Sequence, residues 1–277
     1  MSKSELIVLG SSSGVSSPTR AHQSLVLNSG KVAIMLDCGE PAGARYMQEN
    51  LKLDDLKHIV ISHSHIDHCG SLPMLLKTIH LLIKRNHGLI SPQLTVHSHP
   101  LTVHMPEELI NAFVHYLEAC HMPVSKFCFP LTLRPIQECE IDLEKEVTLQ
   151  AIGNQHLAVR DDTSDNRPGQ SYSFKLNFFG DSVVYSGDLA AIEELDELLK
   201  APIDLLIIEF GHLFPLTASL KHLSQFDIAQ ILVNHIHPDY DDKGAQLQRE
   251  ADLFKSDWVK IGYDGLRIPT ATPLSKG

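Results

Sequence analysis

The segment His63-Ser64-His65-Ile66-Asp67-His68 constrains this chain more than any other, because three imidazoles and a carboxylate share six positions. Whether they can act together depends on the backbone that carries them. On an α-helix, residues two apart point about 200° away from each other, so His63 and His65 could not share an ion. At the end of a β-strand, residues two apart face the same side and can converge. The preceding residues, His58-Ile59-Val60-Ile61-Ser62, read as a strand, and those after His68 enter a helix. The spacing therefore predicts a strand-to-helix loop whose side chains turn inward around a cation. Asp67 and His68 supply an oxygen and a further nitrogen from the far side of the turn.

Short strand-like runs alternate with amphipathic helices on both sides of this segment. In the first half, strands are expected at about 5–9, 23–28, 32–36 and 58–62, with a hairpin turning over Asn28 to Lys31. A helix over 72–85 follows from the stripe Leu72, Leu75, Leu76, Ile79, Leu82 and Ile83, and a second over 106–120 starts on Pro106-Glu107-Glu108. In the second half, strands are expected near 147–152, 171–178, 182–186, 204–208 and 229–234, with helices near 190–200 and 214–225. A last helix over 244–254 precedes short strands near 258–268, and the polar run Asp161 to Gly169 reads as a solvated loop or lid. No linker or low-complexity segment divides the chain. Two similar halves predict an α/β fold, a four-layer αββα sandwich taken as a single domain over 1–277. The stretch of about 86–146, with His97, His99, His104, His115 and His121, is read as an insert that elaborates the surface, with a substrate-side cover as the alternative.

Composition removes several function classes. No run approaches the roughly 20 apolar residues that span a bilayer, so a membrane role is not expected. The apolar run Leu6-Ile7-Val8-Leu9 is shorter than the about 7–15 residues of an export signal, so a cytoplasmic location is expected. The five cysteines form no Cys-x-x-Cys pair, which argues against a disulfide framework or a thiolate zinc site. A formal net charge of −11 disfavours large polyanionic substrates. A cation pair would still attract a small phosphate ester.

His-x-His-x-Asp-His after a strand resembles the signature of the metallo-β-lactamase superfamily. The order of other residues extends the resemblance over about residues 5–268. Asp37-Cys38-Gly39-Glu40 is similar to that family's turn after a hydrophobic strand. His156 follows the strand-like run Val147 to Ile152, Ser186-Gly187-Asp188 follows Val183-Val184-Tyr185, and His235 ends Ile231-Leu232-Val233-Asn234. The resemblance implies that His63, His65 and His156 hold one ion and that Asp67, His68 and His235 hold a second, with Asp188 shared. Nitrogen and oxygen donors suit two divalent ions, Zn²⁺ first, with Mn²⁺ and Fe²⁺ as alternatives.

The opening Leu9-Gly10-Ser11-Ser12-Ser13-Gly14-Val15-Ser16-Ser17-Pro18-Thr19-Arg20 resembles the start of the ribonuclease Z-like branch, which includes tRNA 3′-processing enzymes and small cyclic-phosphodiester hydrolases. Glu209 and His212, after the buried run Leu205 to Ile208, resemble that branch's acid and histidine. The resemblance implies Asp67, His212 and Glu209 as catalytic residues: Asp67 steering hydroxide, His212 protonating the leaving alkoxide, Glu209 fixing its tautomer. His222 competes for the role given to His212. Between His156 and Asp188, positions 157 to 187 leave no room for the long Gly/Pro-rich arm with which ribonuclease Z grips tRNA.

These readings predict a metal-dependent phosphodiesterase acting on a small nucleotide-like or cyclic phosphodiester, with tRNA disfavoured. Association as a homodimer is left open. Alternatives are a carboxyl-ester, lactone or thioester hydrolase on the same site, ribonuclease Z-like RNA processing, or a non-catalytic metal-dependent accessory protein.

Overall fold

Leu6, Ile7, Val8 and Leu9 are all buried, which a strand achieves only when both its faces are covered. The computed structural model describes residues 4–85, 96–160, 169–254 and 257–270, and there β1 (Glu5–Gly10) is covered in this way. Leu6 and Val8 enter one apolar layer while Ile7 and Leu9 enter another, following the two-residue period of a strand. The same alternation runs through two sheets. The first is ordered β14 (Arg267–Pro269), β1, β2 (Ser24–Asn28), β3 (Ala33–Leu36), β4 (Leu56–Val60), β5 (Leu101–Met105) and β6 (Leu131–Pro135). The second is ordered β13 (Val259–Ile261), β12 (Ile228–Ile236), β11 (Ile203–Phe210), β10 (Asp181–Tyr185), β9 (Ser171–Phe178), β8 (Val147–Asn154) and β7 (Glu140–Glu144).

Three apolar layers separate four structural ones. Leu25, Leu27, Ile34 and Leu36 of the first sheet meet Phe174, Leu176, Val183 and Leu205 of the second in the middle layer. On the outer face of the first sheet pack α1 (Ala42–Gln48), α3 (Leu72–Lys84) and α4 (Glu107–Ala119), through Tyr46, Leu75, Ile79 and Phe113. The outer face of the second sheet is covered by α6 (Leu216–Leu223) and α7 (Gly244–Asp252), through Leu216, Leu220 and Leu247. This is the αββα sandwich expected from the sequence. No helix among the described residues is long and apolar enough to cross a membrane.

Several local expectations change. From residue 96 onward, the segment read as an insert over 86–146 supplies β5 and β6 to the first sheet and β7 to the second, with α4 beside them. It is part of the sandwich, and residues 86–95 lie outside the described residues. β6 and β7 are half-exposed, setting Leu131, Leu133, Ile141 and Leu143 among Thr132, Arg134, Glu140 and Asp142, so the apolar content of each run is low. The helix expected over 190–200 is only a 3₁₀ turn, Ile192–Leu195, because the Glu194 carboxylate accepts the backbone N–H groups of Ala190 and Gln155 and holds the chain there. The seven-residue α1 was too short for its periodicity to be read. Residues 161–168 of the expected loop lie outside the described residues.

His58 and His104 show what the middle layer costs a polar group. His58 Nδ1 meets His104 Nε2 at 3.1 Å, with Glu144 of β7 3.4 Å from the other side of His58. Burial holds both imidazoles below the ordinary range, His104 down to about 3. An unfolded chain binds these protons near pH 6.5 while the folded chain does not, so stability is full above that pH and falls as pH drops toward 3. Urea midpoints for the wild type should therefore fall more between pH 7 and pH 5 than those of His104→Gln. Parallel slopes would refute this assignment.

Candidate metal centre

The parallel strands β3, β4 and β5 in one sheet and β10, β11 and β12 in the other end at the same edge of the sandwich. Ligands of open α/β sheets bind outside such carboxyl ends. Beyond β4 the chain runs through Ser62 to His63, and His65 precedes α2 (Ile66–Cys69), which carries Asp67 and His68 in its single turn. His156 opens α5 (His156–Arg160) after β8. Asp188 follows β10 across Gly187, whose φ is +58° and where a Cβ would lie 2.6 Å from Tyr172 O, so only glycine fits. His235 is the extra residue of a bulge. Glu209 pairs with Asn234 and Phe210 with Ile236, leaving His235 unpaired at φ 53° and turned inward.

These residues converge in two sets. Donor atoms of His63, His65, His156 and Asp188 lie within 4.8 Å of one another, as do those of Asp67, His68 and His235. Asp188 divides its carboxylate between them. Its Oδ2 lies 3.8 Å from His63 Nε2 and 3.6 Å from His156 Nε2. Its Oδ1 lies 3.3 Å from His68 Nε2 and 3.5 Å from His235 Nε2. Within the first set His65 Nδ1 and His156 Nε2 are 3.4 Å apart; within the second, His68 Nε2 and His235 Nε2 are 3.1 Å apart, and Asp67 Oδ2 is 3.3 Å from His235.

The sets fit divalent cations. Tetrahedral bonds of 2.0–2.1 Å put ligand atoms about 3.3–3.4 Å apart, close to the spacings here. Among the described residues, the buried His63 Nε2 and Asp188 Oδ1 have no hydrogen-bond partner, which is costly unless a cation satisfies them. Burial holds His63, His65 and His156 below the usual histidine range, His156 to about 3, so their nitrogens keep lone pairs. Burial also opposes charge in the second set, but there the partners outweigh it. Hydrogen bonds from His235 and His68 hold the Asp67 carboxyl well below its usual range, and the charges of His235 and His68 do the same for Asp188. His68 and His235 are correspondingly raised, against burial, by these carboxylates. Positive charge is stabilised at that position.

Asp37 orients the ring between the two sets. It follows β3 at φ 57° and accepts from Ser62 N at 2.6 Å, Ser62 Oγ at 2.8 Å, His68 Nδ1 at 2.6 Å and the Tyr185 hydroxyl. A proton fixed on His68 Nδ1 leaves Nε2 free to ligate. Because Ser62 Oγ donates to Asp37, it accepts from His63 Nδ1 at 3.0 Å, which frees His63 Nε2 in the same way. The sequence marked Asp37 as a landmark but not as this hub; its one signal is an acid directly after a buried strand.

Glu209 and His212 are brought to the same edge. The buried Glu209 carboxylate accepts from Gly211 N at 2.6 Å, His212 N at 2.8 Å and His212 Nδ1 at 3.2 Å. His212 Nδ1 is also 3.6 Å from Asp188 Oδ2, and its ring centroid is 4.8 Å from that of His156. His222 faces elsewhere, bonded to Asp196 at 2.7 Å and beside Gln225. His97 is tied to Asp54 and His99 to the Leu53 carbonyl, so neither joins the cluster. A cleft of about 560 Å³ opens on the Asp67 side, between the loop after β1 and the start of α2.

A family model described as Anti-Pycsar protein Apyc1 matches residues 4–206, which include His63, His65, Asp67, His68, His156 and Asp188. Ribonuclease Z of Bacteroides fragilis is 36% identical over 119 residues, 42% of this chain. That match spans only 36% of the relative's length. Among solved structures, the short form of human tRNase Z has a TM-score of 0.71 at 20% identity, covering 97% of this chain and 100% of that one. The metallo-β-lactamase fold protein YhfI from Bacillus subtilis also has a TM-score of 0.71, at 17% identity, covering 96% and 99%. The fold is therefore the metallo-β-lactamase fold.

Proposed function

The chain belongs to the Anti-Pycsar protein Apyc1 family, and from that premise we propose that it is a dinuclear, metal-dependent hydrolase of small nucleotide-like or cyclic phosphodiesters. The observation that carries this reading is the division of Asp188, one oxygen toward each set of histidines. His63, His65 and His156 would hold one cation, Asp67, His68 and His235 the other, and Asp188 both; their nitrogen and oxygen donors favour zinc. When bound, such a pair supplies Lewis-acid stabilisation of a phosphoryl oxygen and acidifies water at neutral pH. Asp67 orients the attacking water and takes its proton at the carboxylate. His212, its Nδ1–H held by Glu209, presents Nε2 to the leaving oxygen and delivers a proton there.

The tRNase Z likeness raises RNA processing as a second substrate class. Against it stand the net charge of −11 and the stretch between His156 and Asp188, where β9 and β10 occupy 171–185. A panel of bis-p-nitrophenyl phosphate, ribonucleoside cyclic monophosphates, p-nitrophenyl acetate and precursor tRNA tests the reading. Hydrolysis of the first two is expected; turnover of the acetate alone, or efficient trimming of tRNA, would replace it.

Metal content gives an independent check. Elemental analysis after gentle purification should find more than one transition-metal ion per chain, and a chelator should abolish turnover while the circular dichroism of the fold persists. Full activity in a metal-free sample would end the dinuclear reading.

A further inference from the structure

The cleft beside Asp67 has a chemical character that the phosphodiesterase reading does not use. Ser16, His22 and Glu40 line it together with Arg20. Arg20 has little charge left to offer a ligand. Its guanidinium pairs with Asp241 at 2.8 Å and donates to Ser11 Oγ and Gly262 O, both at 2.8 Å. His22 is held differently. Its Nδ1 lies 2.9 Å from Ser13 O, and a carbonyl only accepts, so Nδ1 carries the proton. The neutral ring then presents a lone pair at Nε2, which the hydroxyl of the exposed Ser16 meets at 3.3 Å. His22 Nε2 and the Glu40 carboxylate thus make this wall a set of acceptors. Such a wall takes hydrogen-bond donors and turns away additional anionic groups.

We propose that His22 is a specificity-determining residue that accepts a hydrogen bond from a substrate hydroxyl in place of the Ser16 hydroxyl. The enzyme then selects small phosphodiesters with a free hydroxyl beside the reacting phosphate and disfavours those with a second phosphate there. This proposal rests on the phosphodiesterase reading.

The test compares kcat/KM for a ribonucleoside cyclic monophosphate and its deoxyribose counterpart, with bis-p-nitrophenyl phosphate reporting whether any diester is cleaved. The wild type should favour the hydroxyl-bearing substrate by up to about tenfold, the worth of one neutral hydrogen bond. His22→Ala should bring that ratio to unity, and His22→Gln, which keeps an acceptor, should retain part of it. A merely structural role would lower both rates together and leave the ratio unchanged. A wild-type ratio of unity, or a ratio that survives in His22→Ala, overturns the proposal while leaving phosphodiester hydrolysis standing. If no diester is cleaved, bis-p-nitrophenyl phosphate included, the phosphodiesterase reading falls and takes this proposal with it.

Discussion

Replacing Asp67 with asparagine is expected to cut phosphodiester hydrolysis by about 10²–10⁴-fold, the range for losing a positioned acid–base group. The substitution preserves shape but removes charge. In the wild type Asp67 Oδ2 stands 3.3 Å from His235 and 3.4 Å from His68, and hydrogen bonds from both rings hold its carboxyl well below the usual range against the opposing effect of burial. Asparagine cannot take the proton of an attacking water, and it leaves His68 and His235 with one carboxylate fewer. The backbone around it is fixed by α2 and by the Cys38 N–H bonded to the His68 carbonyl, so the fold should persist. Steady-state kinetics with matched circular dichroism separate the two effects. Wild-type turnover in this variant would make Asp67 structural.

Changing His212 to alanine should have an effect that depends on the leaving group. Its Nδ1 is committed to Glu209, and a ring fixed through Nδ1 delivers protons through Nε2. A diester that expels an alkoxide needs that proton; one that expels p-nitrophenolate does not. The variant should therefore slow alkyl diesters by about 10²–10⁴-fold and p-nitrophenyl diesters far less. Equal slowing of both classes would show that His212 acts through the position of Asp188, 3.6 Å away, rather than by proton transfer. The same selective slowing on changing His222 would transfer the role to that residue, although its ring is bonded to Asp196.

What the sequence determined by itself was local. His63, His65, Asp67 and His68 occupy one strand-to-turn segment, so their convergence could be read from spacing alone. The apolar runs of β1, β4, β10, β11 and β12 likewise declare strands buried on both faces, and their alternation with helices declares the α/β sandwich. The tertiary structure decided whatever depends on residues far apart in the chain. Asp37 meets His68 and Tyr185 only once β3 lies beside β4 and faces the second sheet, and no spacing encodes that hydrogen bond. Both His212 and His222 follow β11 in sequence, and only the folded chain puts the His212 ring beside Asp188 and bonds the His222 ring to Asp196. Within 101–144 the alternating runs of β5, β6 and β7 are only five residues each, and nothing in them names the neighbouring strand each will join. They become strands because the open edges of the two sheets offer hydrogen-bond partners, and a β-strand, unlike a helix, has its partners elsewhere in the chain.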